Sequence, residues 1–134
     1  LTFNQSIDIA RQLLNKDILN SINHDILNYY IAPAEIINLF NLADDKKINL
    51  LEYDLESLLK LLINNGYYKK NKVIKKMILN FIELFFLKKY RITNTKNSIL
   101  RLYQNFLNKI NDMEKFNLDE ESLFLEFKSK LLHE

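Results

Sequence analysis

The chain of 134 residues has no cysteine and no tryptophan, and only one glycine and one proline. Without cysteine there is no disulfide framework, no thiol nucleophile and no cysteine-based zinc site. Without glycine and proline there is little to build the many tight turns of a β-sandwich or barrel, or the loops of an α/β fold. Valine occurs once, against 25 leucines and 16 isoleucines. A long apolar run is also missing. The longest, Met77 to Leu87, is broken by Asn80 and Glu83 and reaches about half a membrane span. The opening lacks a basic stretch followed by an apolar one, so it does not read as a signal peptide. These absences leave an all-helical domain with one core, expected to be cytoplasmic and to bind a partner rather than to catalyse.

What is abundant is asparagine, lysine, isoleucine, phenylalanine and tyrosine, while alanine and arginine are scarce. That skew follows AT-rich codons. The 18 asparagines are therefore discounted as functional clues, because asparagine is a poor helix former. The chain opens Leu1-Thr2-Phe3, which reads as an excised piece of something longer.

Apolar spacing predicts seven helices. The first covers about 6–15, capped by Ser6, with Phe3, Ile7, Ala10 and Leu14 on one face. A second begins near Asp17, presents Ile18, Ile22, Ile26 and Tyr29, and stops before Pro33, which disfavours helix at Ala32. Pro33 suits the first turn of a third helix bearing Ile36, Ile37 and Phe40. Asp44-Asp45-Lys46-Lys47 reads as a polar loop. A fourth helix opens at Leu50 or Asp54, faces Leu55, Leu58, Leu59 and Leu62 inward, and stops at Asn64-Asn65-Gly66, where glycine supplies a left-handed residue. The fifth, about 71–91, is apolar on most of its circumference and is expected to sit centrally. The run 93–98, all cap and turn formers, is the expected joint between a helical bundle, 1–92, and a C-terminal helical hairpin, 98–134. In the hairpin, Leu102, Phe106, Ile110 and Met113 mark a sixth helix, followed by a turn at Phe116-Asn117. Asp119 caps a seventh, with Leu118 and Leu123 as a hydrophobic staple, and that helix shows Leu123, Phe124, Phe127 and Leu131 at helical spacing.

A net charge of +2 conceals three blocks. Residues 1–66 sum to −4, residues 67–101 to +9 and residues 102–134 to −3. Lys69, Lys70, Lys72, Lys75 and Lys76 gather at the start of the central helix, where a cation opposes the helix dipole. Either this is a solvated face filled by lysine-rich coding, or it is a landing site for phosphate or an acidic peptide. Tyr67 and Tyr68 stand beside it, either as a core edge or as stacking platforms for bases. Catalytic and metal sites are not expected. His24 reads as solvated, Asp44-Asp45 as a turn, and no glycine-rich phosphate loop can be formed. Glu83 reads as a buried acid, as a partner for a cation of another helix, or as part of a solvent-facing stripe with Asn80.

The order of these elements resembles the C-terminal helicase-binding domain of bacterial replicative primase. The resemblance runs through Ile7 to Asn41, with Leu14 to Leu19, Asp25 to Tyr30, and Ala32-Pro33-Ala34-Glu35 leading into Ile36, Leu39 and Phe40. It continues in the long helix from Ile78 through Glu83 to Leu87-Lys88-Lys89, and in the hairpin turn Asn117 to Glu121. It implies no cofactor and a recruiting role, with catalysis elsewhere in the parent chain. The hairpin would dock on the N-terminal domains of the hexameric replicative helicase, with Phe124, Phe127, Lys128 and Leu131 as the contact. A basic surface, best matched by Lys69, Lys70, Lys72, Lys75 and Lys76, would take the acidic tail of single-stranded-DNA-binding protein. Two other readings stand beside it. A central apolar helix wrapped by amphipathic ones also resembles Bcl-2-like regulators, including divergent viral ones, although no Asn-Trp-Gly-Arg stretch is present. Such a fold would bind amphipathic helical peptides. A lysine-rich helical module binding nucleic acid through residues 69–91 is the third.

Overall fold

A computed structural model describes residues 1–116 and 119–132. It is all-helical, with six α-helices among the described residues. Helix α1, Phe3–Leu14, is started by Thr2, whose hydroxyl accepts from Gln5 N–H while the Gln5 side chain accepts from Thr2 N–H. This reciprocal box satisfies two otherwise orphaned donors. Ser6 was the expected cap but lies buried one turn inside the helix, alongside Ile7 and Ala10. Asn15 ends the helix in the left-handed region at φ 53°.

The second expected helix does not form. Residues 15–32 run as successive turns around a single 3₁₀ turn, His24–Ile26. Asparagine is the cause. The Asn23 side chain accepts from Asp25 N–H at 2.9 Å, and the Asn28 side chain from Tyr30 N–H at 3.2 Å. Such local bonds compete with the helical ladder. Ile18, Ile22 and Ile26 are nevertheless buried, whereas Tyr29 is 78% exposed. The apolar period was real; the helix behind it was not.

Helix α2, Pro33–Lys46, has proline in its first turn, as expected. It absorbs Asp44-Asp45-Lys46, the expected loop, as its final turn and ends at Lys47 in the left-handed region. Two carboxylates near a helix C-terminus are unfavourable, and Lys16, 3.2 Å from Asp44, and Lys46, 3.5 Å from Asp45, offset them. Helix α3, Leu55–Asn64, starts at Asp54, which accepts from Ser57 N–H, and stops before Gly66 at φ 62°. Helix α4, Lys72–Ile92, starts at Asn71, which accepts from Ile74 N–H. It packs against α2, α3 and, further on, α5, Lys96–Phe116. Only 93–95 separate α4 from α5, so the second half of the expected joint is helical. Helix α6, Glu120–Leu131, is capped by Asp119, which accepts from Glu121 N–H. The expected partner of Leu123 in the staple, Leu118, lies outside the described residues, as do Asn117 of the expected turn and His133.

The buried residues form one cluster from Ile7 to Leu132. Its aromatic part joins the end of α4 to α5 and α6. Phe127 lies 5.4 Å from Phe85 and 5.8 Å from both Phe86 and Phe106, centroid to centroid. Phe124 stands edge-on to Tyr68 at 4.8 Å. No described helix is long and apolar enough to cross a membrane.

Candidate functional site

The lysines at the start of α4 divide into two groups. Lys69 lies 3.3 Å from Glu121 and Lys75 lies 3.2 Å from Glu120, so the first turn of α6 sits on this patch. Lys70, Lys72 and Lys76 are exposed and have no ion pair among the described residues. Lys72 and Lys76, one turn apart, repel each other and oppose the α4 dipole. Neither neighbouring tyrosine is an open platform. Tyr68 is buried under Phe124, and burial, reinforced by Glu121, Asp119 and Glu120, raises its phenol above the ordinary value. Tyr67 is half-buried with the Lys46 ammonium 5.0 Å over its ring.

At the other end of α4, Lys88 Nζ donates to Asp25 Oδ1 at 2.7 Å and also to the Asp25 carbonyl. The other carboxylate oxygen accepts from Leu55 N–H at 2.8 Å, at the start of α3. Burial alone would raise the Asp25 carboxyl. The hydrogen bonds from Lys88 and Leu55 outweigh it and hold the group below its ordinary value. His24 is exposed and its Nε2 lies 2.7 Å from Leu19 O, which closes the loop. Among the described residues no three histidine or carboxylate side chains gather as metal ligands.

Of the four residues expected to meet a helicase, Phe124 and Phe127 are fully inside, at 0% and 2% exposure. They seal α6 onto α3, Tyr68 and the end of α4. Lys128 donates to Asn64 Oδ1 at 2.6 Å, tying α6 to the end of α3. Leu131 faces a shallow cleft of about 80 Å³ between α5 and α6, shared with Leu102 and Phe106. Glu126 crosses that cleft as acceptor for both Lys109 and Lys130. These two hydrogen bonds lower its carboxyl from the ordinary value.

Helix α5 has the least covered apolar surface. Only Phe106 of its 21 residues is fully buried. Ile99, Tyr103, Ile110 and Met113 are half-buried on the core side, whereas Leu100, Leu102 and Phe116 are 49%, 38% and 61% exposed. The inward stripe, Ile99-Tyr103-Phe106-Ile110-Met113, fits the helical period better than the expected one through Leu102. Leu102 falls outside it, and that misfit was the available signal.

Two larger clefts follow one another along a single face of α4, marked by Val73, Met77, Asn80, Leu84 and Leu87 at alternating spacings of four and three. The first, about 390 Å³, lies against α2 and is lined by Ile31, Leu39, Val73, Met77 and Phe81, with Glu35 and Lys76 also on its wall. The second, about 500 Å³, lies against α5 and the Asn28–Tyr30 turn, with Tyr30, Leu84, Leu87, Tyr90, Ile99 and Tyr103 in its wall. Glu83 borders this second cleft and is exposed. The solvent-facing reading of Glu83 therefore holds, while Asn80 is half-covered.

Comparison with protein-family models, with curated proteins and with solved structures returned no match.

Proposed function

We propose that this chain is a non-catalytic protein-interaction domain. It recruits its partner through the outer face of a C-terminal hairpin, α5 with α6, closed against the bundle of the preceding helices. The observation that carries this reading is α5 itself, with one buried residue in 21 and with Leu102, 38% exposed, lining the cleft that holds Leu131. Contiguous exposed apolar surface on a folded domain marks a contact site. The resemblance to the primase C-terminal domain supplies the partner: the N-terminal domains of the hexameric replicative helicase, with primer synthesis recruited to the fork. The contact is drawn on Leu102 and Leu131, with Phe127 in the wall of their cleft. Phe124, against Tyr68, and Lys128, bonded to Asn64, lie away from it.

The acidic tail implied by the same resemblance meets the lysines that no carboxylate among the described residues occupies, Lys70, Lys72 and Lys76. One sedimentation experiment at near-physiological salt tests both contacts. The chain is expected to co-sediment with the replicative helicase of its own organism. The Leu102→Glu, Leu131→Glu double variant should lose the complex while its unfolding curve stays close to that of the parent. Lys72→Glu with Lys76→Glu should keep the helicase and lose a labelled acidic peptide. No helicase complex at protein concentrations on the order of tens of micromolar, or one unaffected by the leucine variants, overturns the reading.

A further inference from the structure

Glu83 is the only acid among residues 67–101, a block with ten basic side chains, yet no cation of the described chain pairs with it. Lys88, little more than one turn away on α4, is held by Asp25. Lys89 stands 5.4 Å over the Phe85 ring, and Lys96 stands 4.9 Å over the Tyr90 ring. The carboxylate instead borders the cleft of about 500 Å³ between α4 and α5, whose wall includes Tyr30, Tyr90 and Tyr103. Tyr30 is 87% exposed and is set in place by the Asn28 turn. Tyr103 packs against Phe86 at 5.1 Å, and burial, with Glu83 adding to it, raises its phenol.

Three electron-rich rings and one unpaired carboxylate form an environment for a cation. Lys96 over Tyr90 shows one of these rings already attracting an ammonium group. The cleft also exposes Leu87 and Leu100, at 38% and 49%. A small free cation would leave these wet, whereas a cationic side chain carried on an apolar segment covers them. The guanidinium group suits the site better than an ammonium, because it stacks flat on an aromatic ring while its N–H fork meets a carboxylate.

We propose that this tyrosine-lined cleft receives an arginine of a partner protein, carried on an apolar segment, with Glu83 as its counter-charge. Leu100 belongs to α5, so the inference deepens the protein-interaction reading above and rests on it for the kind of partner. It adds a specificity contact outside the Leu102–Leu131 cleft.

The probe is a short amphipathic alanine–leucine peptide with one central arginine, compared with the same peptide carrying citrulline, its neutral near-isostere. Binding is followed by NMR shifts of the Tyr30, Tyr90 and Tyr103 rings. The arginine peptide is expected to bind about tenfold more tightly, as one charge-assisted contact with its ring stacking allows, and to shift all three rings. Glu83→Gln, on an exposed side chain, should bring the arginine peptide to the level of the citrulline peptide without altering the fold. Equal affinities in the parent chain, an arginine preference that survives Glu83→Gln, or binding of neither peptide overturns the proposal. Equal shifts from guanidinium ion alone at the same concentration overturn its assignment to a partner protein. The helicase experiment with Leu102→Glu and Leu131→Glu uses a different cleft, so either result can fail without the other.

Discussion

Asp25 connects three parts of the molecule with one carboxylate. It lies in the 3₁₀ turn, accepts from the first N–H of α3, and holds Lys88 of α4. Helix starts have unpaired N–H groups, so this side chain acts as a long-range cap across 30 residues of sequence. Because its carboxyl is lower in the folded chain than its usual 3.8, it stabilises the fold above the ordinary carboxylate range. That contribution is lost as pH falls through the folded value. Replacing Asp25 by alanine should cost about 1 kcal/mol at neutral pH, less than a buried charge-assisted bond because the side chain is 42% exposed and water screens it. Chemical denaturation at pH 7 and at pH 3 tests this, with the gap between variant and parent narrowing in acid. Asparagine is the other lesson at this scale. Its abundance follows AT-rich codons, yet Asn15 ends α1, Asn71 starts α4, and Asn23, Asn28 and Asn49 each accept from a backbone N–H two residues on. A residue can be abundant for genomic reasons and still decide where helices break.

At the scale of elements, α6 is held to the rest of the chain by its phenylalanines. Its phenylalanines, expected as contacts for a partner, fill the gap between Tyr68, Phe85, Phe86 and Phe106. Phe127→Ala should therefore lower stability by about 3–5 kcal/mol, the range for emptying a buried aromatic site, as read from the denaturation midpoint. An unchanged midpoint with lost helicase binding would place the ring outside the core. Expected boundaries were nearest the mark where a single residue forces them. Pro33 could only begin a helix, Gly66 could readily adopt a left-handed turn, and Asp54 and Asp119 could accept from the first free N–H groups. The expected helix at 17–29 failed for the complementary reason. Isoleucines at spacings of four fit one face of a helix and, equally, a chain of turns laid over a core.

For the whole molecule, the decisive fact is that the aromatic residues of α4, α5 and α6 belong to one buried cluster. Deleting residues 98–134 would expose Phe85, Phe86 and Tyr68 to water, each worth roughly 1.5–3 kcal/mol of burial. That total is comparable with the stability of a domain this size. The truncated chain is expected to lose its sharp cooperative transition in calorimetry, and a sharp transition retained near the parental temperature would show that residues 1–97 fold unaided. The sequence alone determined the helical class, because a chain with one glycine and one proline and repeating leucines and isoleucines has few other ways to satisfy its backbone and bury its side chains. It also determined that lysine would concentrate at 67–101. Only the tertiary structure decided which charges were left over, since Lys69, Lys75 and Lys88 find their carboxylates on distant segments, while among the described residues Lys70, Lys72 and Lys76 find no carboxylate and Glu83 no cation. The same holds for apolar surface. Spacing shows that a helix has an apolar face, but packing against other helices determines which parts of that face remain in water.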